Sequence, residues 1–299
     1  MKSFSPSCDT FSFSSSAQAL RLLPSRPERS CKGDFGRVLC ICGSYGMAGA
    51  AYLCAKAAYR SGAGLVEIFT HESNRIILQS LIPEAIVSTY NDEYSKNTLL
   101  PSLERTDCVI AGCGLGVTRL SRSLLSDLLH SIDTSSTPLV LDADALNLIS
   151  KNPSLLKYAK GSIITPHAKE MSRLTGKPVE DVLSSSCDVA RDYALTNSLI
   201  CILKDHRTVV SDGSQKIYLN STGNSGMATG GSGDVLAGIL GGILAQRKNS
   251  QKDLFTLCTL SVYIHGMCGD IAAKELGEYS LMASDIIDTL PKVFKSSIV

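Results

Sequence analysis

Short apolar, β-branched runs alternate with segments of helical spacing through most of the chain. Residues 38–42, 65–69, 108–111, 139–141 and 162–164 read as strands. Helical patterns follow at about 50–60, at about 119–132 and after Thr165-Pro166. Residues 199–203, 208–211 and 216–219 are three strands in succession, and Asp212-Gly213 is a hairpin-turn signal between the last two. The final stretch is helical, at about 234–246, 253–275 and 283–294.

Strand–helix alternation predicts an α/β fold, with a doubly wound, mostly parallel central sheet and helices on both faces. Such sheets bind ligands outside the carboxyl ends of their strands. Here several strand ends run into Gly, Asp, Thr-Pro or Lys, residue types that suit a crevice. Without an internal repeat or a clear linker, residues 32–299 are expected to be a single domain. Residues 1–31, rich in Ser, Phe and Pro, are expected to be a poorly ordered arm. Arg21, Arg26 and Arg29 among serines suggest an organelle transit peptide more weakly.

Composition narrows the function classes. The 299 residues are 44% hydrophobic and 19% charged with a net charge of +1, which gives no electrostatic case for nucleic acid or an anionic membrane. Tryptophan is absent, so a base-stacking platform is not expected. The longest strongly apolar stretch, 235–245, is too short to span a bilayer and reads as a core helix. The eleven cysteines lie mostly inside apolar runs, as at Cys40, Cys42, Cys54, Cys108, Cys201 and Cys258. They read as buried, reduced thiols acting as small hydrophobes. With no Cys-x-x-Cys pair and no His-Glu-x-x-His, neither a zinc site nor a thioredoxin-type centre is expected. The cytoplasm is the expected compartment.

The most informative segment runs from Thr222 to Asp234, where Gly230, Gly231 and Gly233 lead into a helix opened by Asp234. Glycines let backbone N–H groups approach a ligand closely, and a helix N-terminus adds its dipole. Together they make an anion hole for a phosphoryl group. Asp234 beside it is placed to take a proton from an attacking hydroxyl. Asp also caps helices, but a cap does not require the glycines upstream. Asp142 and Asp144 read equally as first-turn helix acids or as crevice carboxylates. His167, after Thr165-Pro166, reads on its own as a helix-start or partly buried structural histidine.

Gly226-Met227-Ala228-Thr229-Gly230-Gly231-Ser232-Gly233-Asp234-Val235-Leu236 resembles the signature of ADP-dependent NAD(P)H-hydrate dehydratases, members of the ribokinase superfamily. Lys32 to Arg37, Gly43 to Ala50, Gly62 to Val66, Pro83-Glu84-Ala85, Gly112 to Gly116, Leu141 to Asn147, Thr165-Pro166-His167, Gly277 to Ser280 and Ala283-Ser284-Asp285 continue the resemblance in order over roughly 32–294. It implies a ribokinase-like fold and dehydration of (6S)-hydrated NADH or NADPH, with ADP, or alternatively ATP, as co-substrate and Mg²⁺ as cofactor. It implies that Ala50, Gly116, His167 and Asp234 contact the hydrated coenzyme, with Asp234 catalytic. Lys204, Asp205, His206, Arg207, Thr208 and Gly233 would serve the nucleotide. It further implies a homo-oligomer, specifically a tetramer, and a separate NAD(P)H-hydrate epimerase as functional partner. No metal ligands are assigned.

Three departures stand out. The family's His-Pro-Gly-Glu is here His167-Ala168-Lys169-Glu170. Its Lys-Gly nucleotide loop is here Lys204-Asp205-His206-Arg207-Thr208, which adds an acid near the phosphates. Its Gly-Pro-Gly-Leu-Gly is here Gly112-Cys113-Gly114-Leu115-Gly116. The rival readings are a ribokinase-type small-molecule kinase acting on a hydroxymethylpyrimidine or thiazole, and a non-catalytic nucleotide sensor. Neither a Walker A pattern nor a complete Gly-x-Gly-x-x-Gly fingerprint occurs, so P-loop and Rossmann chemistry are not expected.

Overall fold

The computed structural model describes residues 9–295. In chain order its strands are β1 (Asp9–Phe11), β2 (Arg37–Ile41), β3 (Leu65–His71), β4 (Ile86–Tyr90), β5 (Cys108–Ala111), β6 (Leu139–Leu141), β7 (Ile163–Ile164), β8 (Ile200–Leu203), β9 (Val209–Ser211) and β10 (Lys216–Leu219). The central ones are wholly apolar: every residue of β5, β6, β7 and β8 is buried. Runs of that kind suit parallel strands covered on both faces.

The strands form one sheet in the order β1-β10-β9-β8-β7-β6-β5-β2-β3-β4. All neighbours run parallel except β9, which is antiparallel to both β8 and β10. From β2 the chain moves outward to β3 and β4, then returns to β5 on the other side of β2. The chain leaving β2 enters a helix on one face of the sheet and the chain leaving β5 a helix on the other, the arrangement that places a crevice at the carboxyl ends of the strands.

One face of the sheet is covered by α1 (Ser16–Leu20), α2 (Ala48–Arg60), α3 (Arg75–Leu81), α10 (Ser232–Ala245), α11 (Leu254–Leu276) and α12 (Ala283–Lys295). The other is covered by α4 (Lys96–Leu103), α5 (Arg119–Ser131), α6 (Asp144–Lys151), α7 (Ala168–Thr175), α8 (Val179–Ser184) and α9 (Ser186–Asn197). The second face uses ordinary amphipathic helices. In α5, Thr118 accepts the N–H of Ser121 at 3.1 Å as the cap, and Leu124, Leu125 and Leu128 form the buried stripe. The first face is packed more closely. A Cβ on Gly238 would lie 2.2 Å from the Cys54 carbonyl oxygen, and one on Gly242 would lie 2.5 Å from that of Ala58. Glycines one turn apart thus let α10 lie directly on the backbone of α2, which fixes where the amino end of α10 points.

Expected elements recur with ends shifted by a few residues. The short helices α3, α4, α6 and α8, the longer α9, and the edge strands β1 and β4 were not anticipated. Residues 9–31, expected as a loose arm, lie against the domain instead. β1 pairs in parallel with β10, and the Phe11 and Phe13 rings sit 5.4 and 5.2 Å from that of Tyr218. Ala19 and Leu20 are buried, and the Arg26 guanidinium lies 3.6 Å from the centre of the Phe35 ring. The expectation for residues 1–8 lies outside the described residues. By length and composition alone α11 would cross a membrane, but 61% of its apolar window is buried inside the fold. It is a core helix.

Candidate active site

Four strand ends meet under the crevice. β6 delivers Asp142, which is 1% exposed. Its Oδ1 accepts hydrogen bonds from the Lys204 ammonium at the end of β8 (2.7 Å) and from the Thr165 hydroxyl at the end of β7 (2.6 Å). The Cys113 thiol, from the turn after β5, lies 3.9 Å from Oδ2. A carboxylate this deep needs partners, because desolvating an unpaired charge costs several kcal/mol. Burial alone would lower the pKa of Lys204, but the Asp142 and Glu170 carboxylates outweigh it and hold the ammonium above its ordinary value. Between Asp142 and Asp144, Ala143 is held at φ 46° and ψ −114°, an unusual conformation for a residue with a Cβ. Strain of that kind costs on the order of 1–3 kcal/mol and survives only where the surroundings enforce it. Here it turns consecutive acids to separate tasks: Asp142 binds Lys204, while Asp144 accepts the Gly116 N–H at 2.8 Å.

The amino end of α10 faces this cluster. Its lead-in is tied down by α11, where Asp270 accepts the Gly223 N–H (2.9 Å) and the Asn224 amide (3.1 Å). The Thr222 hydroxyl donates to the Tyr263 carbonyl (2.9 Å), and Ser225 donates to Glu278. Gly231, at φ 90°, makes the left-handed step into the helix. First-turn N–H groups have no acceptor within a helix, so those of Gly233 and Asp234 are available to an anion. A Cβ on Gly233 would lie 3.2 Å from the Lys204 ammonium and 3.6 Å from Asp142 Oδ2, whereas one on Gly230 would meet nothing within 4 Å.

Asp234 Oδ, Asp142 Oδ and Cys113 Sγ all lie within 4.8 Å of one another. Burial first, then the Asp142 and Asp144 charges, push the Asp234 carboxyl up to about 6, against the opposing pull of Cys113 and Lys204. A carboxylate tuned to that range is suited to proton transfer near neutral pH. Behind it, the His265 imidazole of α11 lies 3.0 Å from the Ser232 carbonyl oxygen. Burial pushes His265 down to about 4, so it is neutral and donates from Nε2.

On the neighbouring strand ends, Ala50 in the first turn of α2 faces the turn after β5: a Cβ on Gly114 would lie 2.8 Å from its own. Gly116 takes φ 77° in that turn. His167 caps α7. Its Nδ1 accepts the Lys169 and Glu170 N–H groups (3.1 and 3.3 Å), and Glu170 accepts the His167 N–H in return (2.9 Å). The structural reading of this histidine is therefore realised. Its side chain is still 47% exposed, and β-bridge pairing sets it beside Lys204. Burial and the Lys204 charge lower its pKa, against the raising effect of Glu170 and Asp142.

The structure thus unites Asp142, Lys204, Gly233 and Asp234, with His167 flanking Lys204 and Ala50 and Gly116 on the adjacent turns. Lys204, expected to serve the nucleotide, is paired to Asp142. Asp205, His206 and Arg207 stand exposed at the rim and Thr208 is half-buried. Within the loop, the His206 ring lies 3.2 Å from Asp205 and the Thr208 hydroxyl donates to the Asp205 carbonyl at 3.3 Å, while the Thr208 carbonyl accepts the Asn220 N–H at 2.9 Å. Sequence reasoning missed Thr165, Cys113, His265 and Asp270 as parts of the site. Two of the four, Thr165 and Cys113, lie just past strand ends, within motifs already singled out. His265 and Asp270 sit among the small residues Gly266 and Gly269 of α11, a pattern that marks a close backbone approach.

Comparison with known proteins identifies the family and the fold. The family model described as NAD(P)H-hydrate dehydratase matches residues 38–292. A bifunctional NAD(P)H-hydrate repair enzyme of Coxiella burnetii is 38% identical over 269 residues, 90% of this chain and 52% of the relative. The chain thus spans about half the length of the first curated relatives it matches. Among solved structures, a ribokinase-like superfamily protein of Enterococcus faecalis superposes with a TM-score of 0.83 at 29% identity, covering 98% of each chain. The ADP/ATP-dependent NAD(P)H-hydrate dehydratase of Bacillus subtilis, co-crystallised with ATP and Mg²⁺, gives 0.78 at 28% identity, covering 95% of this chain and 98% of that one. The fold is ribokinase-like.

Proposed function

Because the chain belongs to the NAD(P)H-hydrate dehydratase family, we propose that it repairs hydrated NADH and NADPH, using ADP, or ATP, to drive off the added water. The observation that carries this reading is Asp234, a carboxyl pushed up to about 6 in the first turn of a glycine-led helix. The hydrate lies along the strand-end turns at Ala50 and Gly116, with His167 at its edge. The nucleotide lies over Lys204 and the 205–208 loop, its terminal phosphate at Gly230, Gly231 and Gly233. Asp234 takes the proton from the C6 hydroxyl of the (6S)-hydrate, and that oxygen attacks the terminal phosphorus while the distal P–O bond breaks. The N–H groups of Gly233 and Asp234 stabilise the charge on the transferring group. The ring nitrogen's lone pair then expels phosphate from C6, and loss of the C5 proton restores the dihydropyridine. Poor leaving group becomes good one, and no redox step occurs.

Mg²⁺ takes oxygen ligands and shares them with nucleotide phosphates. The crevice carboxylates of Asp142 and Asp144 fit that donor chemistry and would hold it, where it neutralises phosphate charge. The reading extends to a cytoplasmic homo-oligomer, a tetramer, that works with an NAD(P)H-hydrate epimerase.

The test is an absorbance assay. Hydrated NADH or NADPH is mixed with the protein, Mg²⁺ and either ADP or ATP, and the dihydronicotinamide band is followed. A nucleotide-dependent rise is expected. A folded protein that gives none with either nucleotide, yet phosphorylates a pyrimidine or thiazole alcohol, is a small-molecule kinase instead.

A further inference from the structure

Four buried thiols gather directly beneath the crevice floor. Cys40 in β2 and Cys42 just past its end face α2, where Cys54 sits, and Cys113 comes from the turn after β5. None is exposed to solvent. The sulfurs of Cys42, Cys54 and Cys113 all lie within 4.8 Å of one another, and that of Cys40 is 3.9 Å from Cys54. Thiolates bound to one cation at about 2.3 Å hold their sulfurs roughly 4 Å apart. The trio therefore needs only small side-chain adjustments to close on an ion. No short motif announced it, because three separate elements supply the ligands.

Cys113 belongs to two groups at once. Besides the thiols, its sulfur lies within 4.8 Å of carboxylate oxygens of Asp142 and Asp234. The thiols select soft cations and the carboxylates hard ones, so the two groups are chemically distinct neighbours that share one atom. Cys113 also stands where the family pattern has Pro.

We propose that Cys42, Cys54 and Cys113 form a binding site for a thiophilic divalent cation such as Zn²⁺, and that its occupation inhibits the enzyme by drawing Cys113 away from Asp142 and Asp234. The cation exchanges three waters for three sulfurs, and each thiol releases its proton to solvent. No electrons move. The resulting single negative charge lies in the field of the Lys204 ammonium, which already senses Cys113. The fourth position goes to water. The inhibition rests on the dehydratase reading; the binding does not.

Cd²⁺ is the spectroscopic probe, titrated into the reduced full-length chain. One equivalent is expected to produce a sulfur-to-metal charge-transfer band in the ultraviolet and to suppress turnover in parallel. Cys54→Ala, which leaves every carboxylate contact in place, is expected to lose the band, to bind at least about tenfold more weakly, and to turn over in the presence of Cd²⁺. Cys42→Ala serves the same purpose if Cys54→Ala does not fold. Cys31→Ser and Cys187→Ser, which remove more accessible thiols, are expected to keep band and inhibition. Absence of the band in the wild type, or a band that survives both cluster variants, overturns the site. A normal band with inhibition that persists in Cys54→Ala places inhibition at the carboxylates and overturns the coupling. A normal band from a protein without dehydratase activity leaves the cation site standing and removes only the proposed function.

Discussion

Lys204 and Asp205 are adjacent in the chain and mark the boundary between two regions of the crevice. On the Lys204 side, Asp142, Thr165, Cys113 and Asp234 form a buried cluster in which each polar group is held by another. On the Asp205 side, residues 205–207 are exposed and held chiefly by contacts within their own loop. Groups that must be poised when charge develops gain most from fixed, desolvated surroundings. Groups that only recognise a ligand work from exposed loops. Two of the three departures from the family pattern, Lys169 and the 205–208 loop, fall on the exposed side. The exception is Cys113.

Substitutions sharpen this contrast in descending order of effect. Asp234→Asn is expected to lower kcat by about 10²–10⁴-fold, with little change in hydrate KM; a near-normal rate would remove Asp234 from the chemistry. The same variant is expected to melt higher at neutral pH. A carboxyl raised to about 6 favours the proton in the folded state, so its ionisation weakens the fold as pH rises from about 4 to 6. Asn escapes that penalty, on the order of 3 kcal/mol.

Lys204→Met leaves Asp142 buried and unpaired, and is expected to cost about 3 kcal/mol in denaturant unfolding. Because Lys204 lowers the pKa of Asp234, the acid limb of the pH–rate profile should also move upward. In the wild type that limb is expected near pH 6, with activity lost below it. A limb that does not move in the variant would uncouple the buried cluster from the chemistry.

His265 supplies an opposing stability signal. Its folded value of about 4 lies below the ordinary histidine value, so its contribution is complete above about pH 6.5 and is lost as pH falls toward 4. Asp234 gains stability over much of that same interval. In Asp234→Asn the compensation disappears, and melting temperature is expected to fall more steeply between pH 6 and 4 than in the wild type. The smallest effect is expected from Asp205→Gly, which restores the family's Lys-Gly. Nucleotide KM should change by less than about tenfold, or 1.4 kcal/mol, with kcat unchanged. A large loss of kcat there would erase the distinction between the two regions.

Much of this was legible in the chain. Alternation located the central strands, because buried parallel strands are apolar throughout, and the glycines before Asp234 marked the amino end of the helix that faces the buried cluster. Asp142 stayed ambiguous, since one acid after a strand looks the same whether it caps a helix or faces a crevice; only the ion pair with Lys204, 62 residues later, decides. Cys113 was invisible for a similar reason, as its partners are Cys42 and Cys54 on other elements. The edge strand β1 was hidden in a Ser-rich and Phe-rich stretch, whose aromatic residues acquire a role only against Tyr218 and Tyr263.

That edge strand has a consequence for how the protein is made. Ribosomes release the amino end first, yet the hydroxyl of Ser12 bonds to the carbonyl of Leu219, 207 residues away. During most of translation, Phe11 and Phe13 have nothing to cover and β1 has no ladder to join. β1 is made long before the strand it pairs with and is among the last to find its place. Until it does, the outer side of β10 remains an open template for strands of other nascent chains.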